Sequence, residues 1–165
     1  MSNWKNTESW NFGQEVEANF SELLEIRGIK YRKATREEQF KHIDYITSFG
    51  TIDVKARKKI NRSDNSHQEE FVWLEFKNVR GNKGWLCGDT DIISFEREKD
   101  FILMFRIDLL RWAQGRCDLN QLVSNSRDAL YKGYTRKGRK DLISIVKIVD
   151  ILEIPHKIWE KAKQQ

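Results

Sequence analysis

Two cysteines, one proline and three histidines are all that the 165 residues contain of these types. Cys87 and Cys117 stand far apart and form no Cys-x-x-Cys pair, which argues against a disulfide framework or a thiolate zinc site. His42, His67 and His156 are scattered without ligand spacing. Any metal would therefore be held by carboxylates, which favours hard cations such as Mg²⁺ or Mn²⁺. No run approaches the roughly 18 apolar residues of a membrane span. Met1-Ser2-Asn3-Trp4-Lys5 lacks the apolar core of a signal peptide. The expectation is a cytoplasmic protein with no membrane contact. Internal repeats and low-complexity tracts are missing too.

What is present is charge. Charged residues make up 33% of the chain against 39% hydrophobic, which is enough apolar material for one domain with a real core. The net charge of +5 suits a polyanionic partner, although its distribution matters more than its total.

Taken in order, residues 1–10 read as an arm. Residues 11–28 read as a helix, with Asn11 as N-cap, Gly28 as the closing C′ residue, and Phe12, Val16, Phe20 and Leu23/Leu24 on one stripe. Glu17 sits beside that stripe. It is either a boundary residue of an amphipathic helix or a functional acid. A short strand follows Gly28, then a polar connection over 35–39. Residues 61–68 are the best candidate for a mobile loop. The basic run before it, Arg57-Lys58-Lys59, is placed to meet phosphates or simply to solubilise the loop. Phe71 to Lys77 is apolar at nearly every position and reads as a strand in the middle of a sheet. Two strands are expected over 91–96 and 101–106, a helix over 107–114 closed by Gly115, and a partly helical stretch over 116–130. A strand over 142–148 and a terminal helix started by Pro155, with Ile158 and Trp159 inward, complete the reading. The order argues for a single mixed α/β domain.

The most informative stretch is His42 to Lys55. Two alternating runs joined near Gly50 read as a β-hairpin. With Phe49-Gly50 as a two-residue loop, Asp44 would face Lys55 and Ile46 would face Asp53. Asp44, Asp53 and Lys55 would then share one face. That face is either solvated surface or a site. Phosphodiester hydrolysis needs a divalent cation to neutralise developing charge and lower the pKa of a water. Carboxylates suit such a cation, the Val54 carbonyl can add an oxygen, and a lysine alongside can orient the attacking water.

Gly13-x-x-x-Glu17 on a first helix, Ile43-Asp44, and Asp53-Val54-Lys55 on a following strand resemble the PD-(D/E)xK nuclease superfamily, whose restriction-endonuclease-like fold Holliday junction resolvases also use. Residues 13–112 follow its element order. Ile43 stands where the name-giving Pro would be, and Asp53 replaces the commoner Glu. The resemblance implies a central mixed β-sheet flanked by helices and Mg²⁺-dependent DNA cleavage. It makes Asp44 and Asp53 metal ligands, Lys55 the catalytic lysine and Glu17 an accessory acid. Glu75-Phe76-Lys77 is a competing acid-x-Lys that would take Asp53 as its preceding acid. In either case Glu75 can add a carboxylate.

The segment Tyr131 to Lys140 holds five cations and no acid. Lys132, Arg136, Lys137, Arg139 and Lys140 are candidates to grip phosphates, with Tyr131 or Tyr134 able to stack. Trp85, flanked closely by glycines, is the tryptophan expected to be exposed. Nothing resembles a helix-turn-helix, so recognition of branched or duplex DNA by structure is expected rather than base reading. The small resolvase-like enzymes of this fold tend to dimerise, so a homodimer is the implied assembly. The alternatives are a non-catalytic nucleic-acid-binding protein on the same fold and a restriction- or repair-type nuclease.

Overall fold

A computed structural model describes residues 8–59 and 64–163. It is a mixed α/β protein with two mixed sheets and a few helices. Helix α1 spans Glu8–Ile26, longer at its start than the sequence suggests, so Asn11 is not its N-cap. Gly28 does end it, at φ 66°, and the Ile29 N–H reaches back to the Leu24 carbonyl. Strand β1 (Tyr31–Lys33) follows, then α2 (Arg36–Phe40), where a bare polar connection was expected. Thr35 and Glu38 form a capping box there. The signal was legible as Thr-x-x-Glu.

Strands β2 (Tyr45–Thr47) and β3 (Gly50–Lys55) form the expected hairpin. Its turn is Ser48-Phe49, not Phe49-Gly50, because Thr47 pairs with Gly50 and Tyr45 with Ile52. The register therefore differs by two residues. A shift of two keeps every side chain on its face, whereas a shift of one would reverse them. The ladder ends at Tyr45–Ile52; Asp44 lies just before it, with its N–H on the Ile52 carbonyl and its carboxylate on the Val54 N–H, not facing Lys55.

The first sheet runs β1-β2-β3-β5-β6-β10. Here β5 is Ile92–Glu96, β6 is Asp100–Phe105 and β10 is Lys157–Glu160. Only β3 and β5 are parallel. A parallel neighbour demands a long crossover, and this one (56–91) carries β4 (Phe71–Lys77) and a 3-10 turn at Trp85–Cys87. The expected middle strand β4 is instead the edge of a second sheet, ordered β4-β9-β8-β7. In that sheet β7 is Asp118–Val123, β8 is Lys132–Tyr134 and β9 is Leu142–Lys147. β4 reads as continuously apolar for two reasons: Leu74 and Phe76 enter the core, while Phe71 and Trp73 line a cleft.

Three more expectations are corrected. Helix α3 spans Arg106–Arg116 and runs through Gly115 instead of stopping there. Residues 118–123 are strand, not partly helical, with a 3-10 turn at Ser126–Asp128. The segment after Pro155 is β10, not a helix, and a four-residue helix α4 (Ile148–Ile151) precedes it. Strand alternation separates the two residues expected to point inward together: Trp159 is buried and Ile158 exposed.

Helix α1 covers one face of the first sheet. Phe20 is fully buried against Tyr45, Phe101 and Trp159, with ring centroids 5.1–5.9 Å apart. Burying such a ring contributes about 1.5–3 kcal/mol. The opposite face, with Ile93, Phe95, Ile102 and Met104, packs with Leu74, Phe76 and Val146 of the second sheet and with Leu109 and Ala113 of α3. Among the described residues no helix is long and apolar enough to cross a membrane.

Candidate active site

The end of β3, the first half of α1 and the cleft-facing side of β4 enclose a cavity of about 420 Å³. Glu17, Lys55, Lys58 and Glu75 all line it. Behind Lys55 lies Asp53, only 2% exposed. The Lys55 Nζ is 2.9 Å from Asp53 Oδ2, close enough for an ion pair. The angle falls short of a hydrogen bond, and this buried oxygen has no other hydrogen-bond donor among the described residues. The Asp44 carboxylate accepts a 2.7 Å hydrogen bond from the Val54 N–H. Residues 52 and 54 aim their backbone groups at the same edge of the strand. Because the Ile52 carbonyl accepts from the Asp44 N–H, the Val54 carbonyl points past the end of β2, beside the same two carboxylates.

This cluster is short of positive charge. Burial, opposed by Lys55 and reinforced by Asp44, pushes the Asp53 pKa up to about 8. Burial and then the Asp44 charge push Glu17 up to about 7. The Tyr45 hydroxyl fixes the helix turn that bears Glu17, donating to the Glu17 backbone carbonyl at 2.8 Å and lying 2.7 Å from Ser21 Oγ.

Among the described residues, no set of three or more His, Cys, Asp or Glu side chains is gathered closely enough to hold a metal ion. Mg²⁺ does not require three: it keeps several waters and is commonly bound through one or two carboxylates plus substrate phosphate. Two neighbouring aspartate carboxylates, the Val54 backbone on the edge that meets Asp44, and a buried carboxylate oxygen without a good donor fit such an ion.

The competing acid-x-Lys is split. Glu75 reaches the cleft and accepts from the Trp85 N–H at 3.4 Å, but Lys77 is exposed and does not line it. A register irregularity between the two residues separates their directions. Glu75 lies across from β3 on the second sheet, not on a neighbouring strand. Trp85 is buried, contrary to expectation, and its ring lies 5.0 Å from the Lys55 ammonium. Gly84 makes this approach possible, since a Cβ there would stand 2.4 Å from the Glu75 carbonyl oxygen. Gly84→Ala is expected to cost about 1–3 kcal/mol through forced backbone displacement, measured as a shift in the urea midpoint.

The basic candidates divide. Arg57 is committed to Glu96, with Nε 2.9 Å from Oε1, and Lys59 to Glu8 at 2.8 Å. Arg136 is held by the buried Asp141. These three are structural ion pairs as well as cations. Lys58 is exposed on the cleft rim, yet its surroundings depress its pKa, by desolvation first and then by Lys55. Lys132 is half-buried, while Lys137, Arg139 and Lys140 are exposed. The Lys140 N–H bonds the Val79 carbonyl, which brings this loop beside the 78–83 turn bearing Arg80 and Lys83. Those two cations were not singled out in the sequence, although a Gly between basic residues marked the turn. The predicted loop falls partly on 60–63, outside the described residues. From residue 64 on it is irregular, and the Lys58–Gln68 bridge closes its base.

The chain matches no family model, no curated protein and no solved structure.

Proposed function

We propose that the protein is a metal-dependent DNA endonuclease of the PD-(D/E)xK type, with a restriction-endonuclease-like core. The observation that carries this reading is the closeness of the Asp44 and Asp53 carboxylates beside β3, with Lys55 2.9 Å from Asp53 and Glu17 on α1 near enough to feel the charges of Asp44 and Lys55. The antiparallel run β1-β2-β3 with β5 parallel to β3 agrees with the element order expected of that fold.

Asp44, Asp53 and the Val54 carbonyl would hold Mg²⁺ or Mn²⁺, with Glu17 at its margin. A bound cation would neutralise the phosphate and make a water more acidic. The chain's own part is then positional. Lys55, pinned between the Asp53 carboxylate and the Trp85 ring, holds a cation where the attacking water and the charged phosphorus centre meet. The exposed Lys137, Arg139 and Lys140 hold backbone phosphates further out.

The test is incubation with Mg²⁺ or Mn²⁺ on single-stranded, duplex and branched DNA and on RNA. Cleavage of DNA, branched forms foremost, is expected, and Lys55→Ala should lower the rate by about 10²–10⁴-fold. No cleavage of any substrate defeats the reading. Equal cleavage by Lys55→Ala defeats the site. The absence of a three-residue metal cluster among the described residues favours a second reading. In that reading the same fold binds nucleic acid without cutting it, and binding that survives the loss of Asp53 and Lys55 would select it.

A further inference from the structure

The nuclease site uses one wall of the cleft. The other wall is β4, where Phe71, Trp73 and Glu75, alternate residues of the strand, line the cavity together with Val72. All three are half-buried. Among the described residues, Phe71 and Trp73 belong to neither hydrophobic core, and neither ring has an aromatic or cationic partner. Two large rings on an edge strand, outside any core, facing an open space of about 420 Å³, are not explained by folding. Alternate residues on a strand are about 6.6–6.8 Å apart, and bases stack about 3.4 Å apart. That spacing leaves room for one flat ring. Glu75 accepts one weak hydrogen bond, from the Trp85 N–H through Oε1, and among the described residues its Oε2 takes none. It offers an acceptor at the inner end of the ring wall. Lys58 stands on the cleft rim, with the charge of Arg136 within range of it.

We propose that this wall receives an unpaired nucleobase beside the phosphodiester to be cut, stacked on Trp73 and Phe71 with an exocyclic amine directed to Glu75. The proposal rests on the nuclease reading and narrows its substrate: DNA with unpaired nucleotides at the cleavage position, not continuous duplex. A base inside a duplex is already stacked on its neighbours and cannot enter. A bulged, branched or single-stranded base enters without that loss. Aromatic stacking tolerates any base, while the Glu75 acceptor disfavours thymine, which has no exocyclic amine.

The experiment uses the full chain in EDTA, where cleavage is blocked, and DNA carrying the fluorescent base 2-aminopurine at one position. The base is placed in a bulge or paired within an otherwise identical duplex. Anisotropy reports binding and 2-aminopurine emission reports stacking. The bulged probe is expected to bind more tightly than the paired one and to change its emission at saturation, while the paired probe does not. Trp73→Leu should remove the emission change and weaken bulge binding about 5- to 100-fold, leaving duplex affinity unaltered. Phe71→Leu serves the same purpose should Trp73→Leu fail to fold by circular dichroism. Equal binding of both probes, or an emission change that survives both variants, overturns the base pocket and leaves the nuclease reading standing. No binding of either probe overturns the base pocket, and the nuclease reading then stands or falls on the cleavage assay with Mg²⁺ or Mn²⁺.

Discussion

Under the proposed nuclease function, Asp53→Asn will lower DNA cleavage by about 10³-fold or more and, in the same protein, raise the melting temperature at pH 8–9. The first effect follows from removing a charged ligand from a site whose chemistry depends on a divalent cation. The second follows from burial. Asp53 is raised to about 8 in the folded chain, whereas an unfolded aspartate titrates near about 3.9. Between those values the folded protein keeps a proton that the unfolded chain has released. The contribution of this group is therefore fully present below about pH 4 and is lost as pH rises, with the loss complete a little above pH 8. Glu17, raised to about 7, adds a loss of the same sign that ends earlier. Asparagine cannot ionise and is relieved of the desolvation cost, which for a poorly satisfied buried group is about 1–3 kcal/mol. Thermal unfolding in EDTA at pH 5, 7 and 9 measures this. A variant that melts below the wild type at pH 9, with the wild-type pH slope intact, would contradict the assignment. Adding Mg²⁺ should stabilise the wild type more at pH 8 than at pH 6, because the ion competes with protons for the same carboxylate.

Glu96→Ala will destabilise the protein by about 3–5 kcal/mol. Glu96 is 2% exposed at the end of β5 and carries a full set of donors. The Arg57 N–H and Nε reach it at 2.9–3.1 Å and Lys161 Nζ at 2.6 Å. Removing the carboxylate leaves two cations, each less than one-fifth exposed, facing one another without an anion. Urea unfolding checks this, with the midpoint falling and the slope constant. A loss below about 1 kcal/mol would place the ion pairs among ordinary surface pairs. The same contacts set the role of Arg57. Arg57→Ala is expected to lower stability and leave the salt dependence of DNA binding nearly unaltered. Removing a true phosphate contact would reduce that slope by about one.

The hairpin was legible in the sequence because its information is local. Alternation fixes the face that Asp53 and Lys55 share, and that survived a two-residue error in the turn; Asp44 lies just outside the ladder. The end of α1 was legible for the same reason, through Gly28. What the sequence hid depends on distant partners. Lys157 to Glu160 becomes a strand because Trp159 pairs with Phe101 and Ile158 with Ile102; four residues after a proline contain no sign of that. Phe71 to Lys77 reads as strand, but its sheet is decided by β9, some 70 residues on, which pairs Trp73 with Ile145. Gly115 reads as a helix stop, yet α3 continues through it to Arg116, and the Cys117 N–H still bonds the Ala113 carbonyl. Glu96 was invisible as a buried anion because its partners, Arg57 and Lys161, lie 39 residues before it and 65 after it.

The contact between Phe20 and Trp159 has a further consequence, in the order of events during synthesis. The ring pair, stacked 5.9 Å apart, joins the first helix to the last strand, and Lys161 then neutralises Glu96. Loops of such length close slowly and are rewarded only on completion. A nascent chain that already holds Glu17, Asp44, Asp53 and Lys55 still lacks the edge strand and the cation that finish their sheet. The placement of β10 therefore makes completion of the first sheet wait for residues far along the chain from the β2–β3 hairpin.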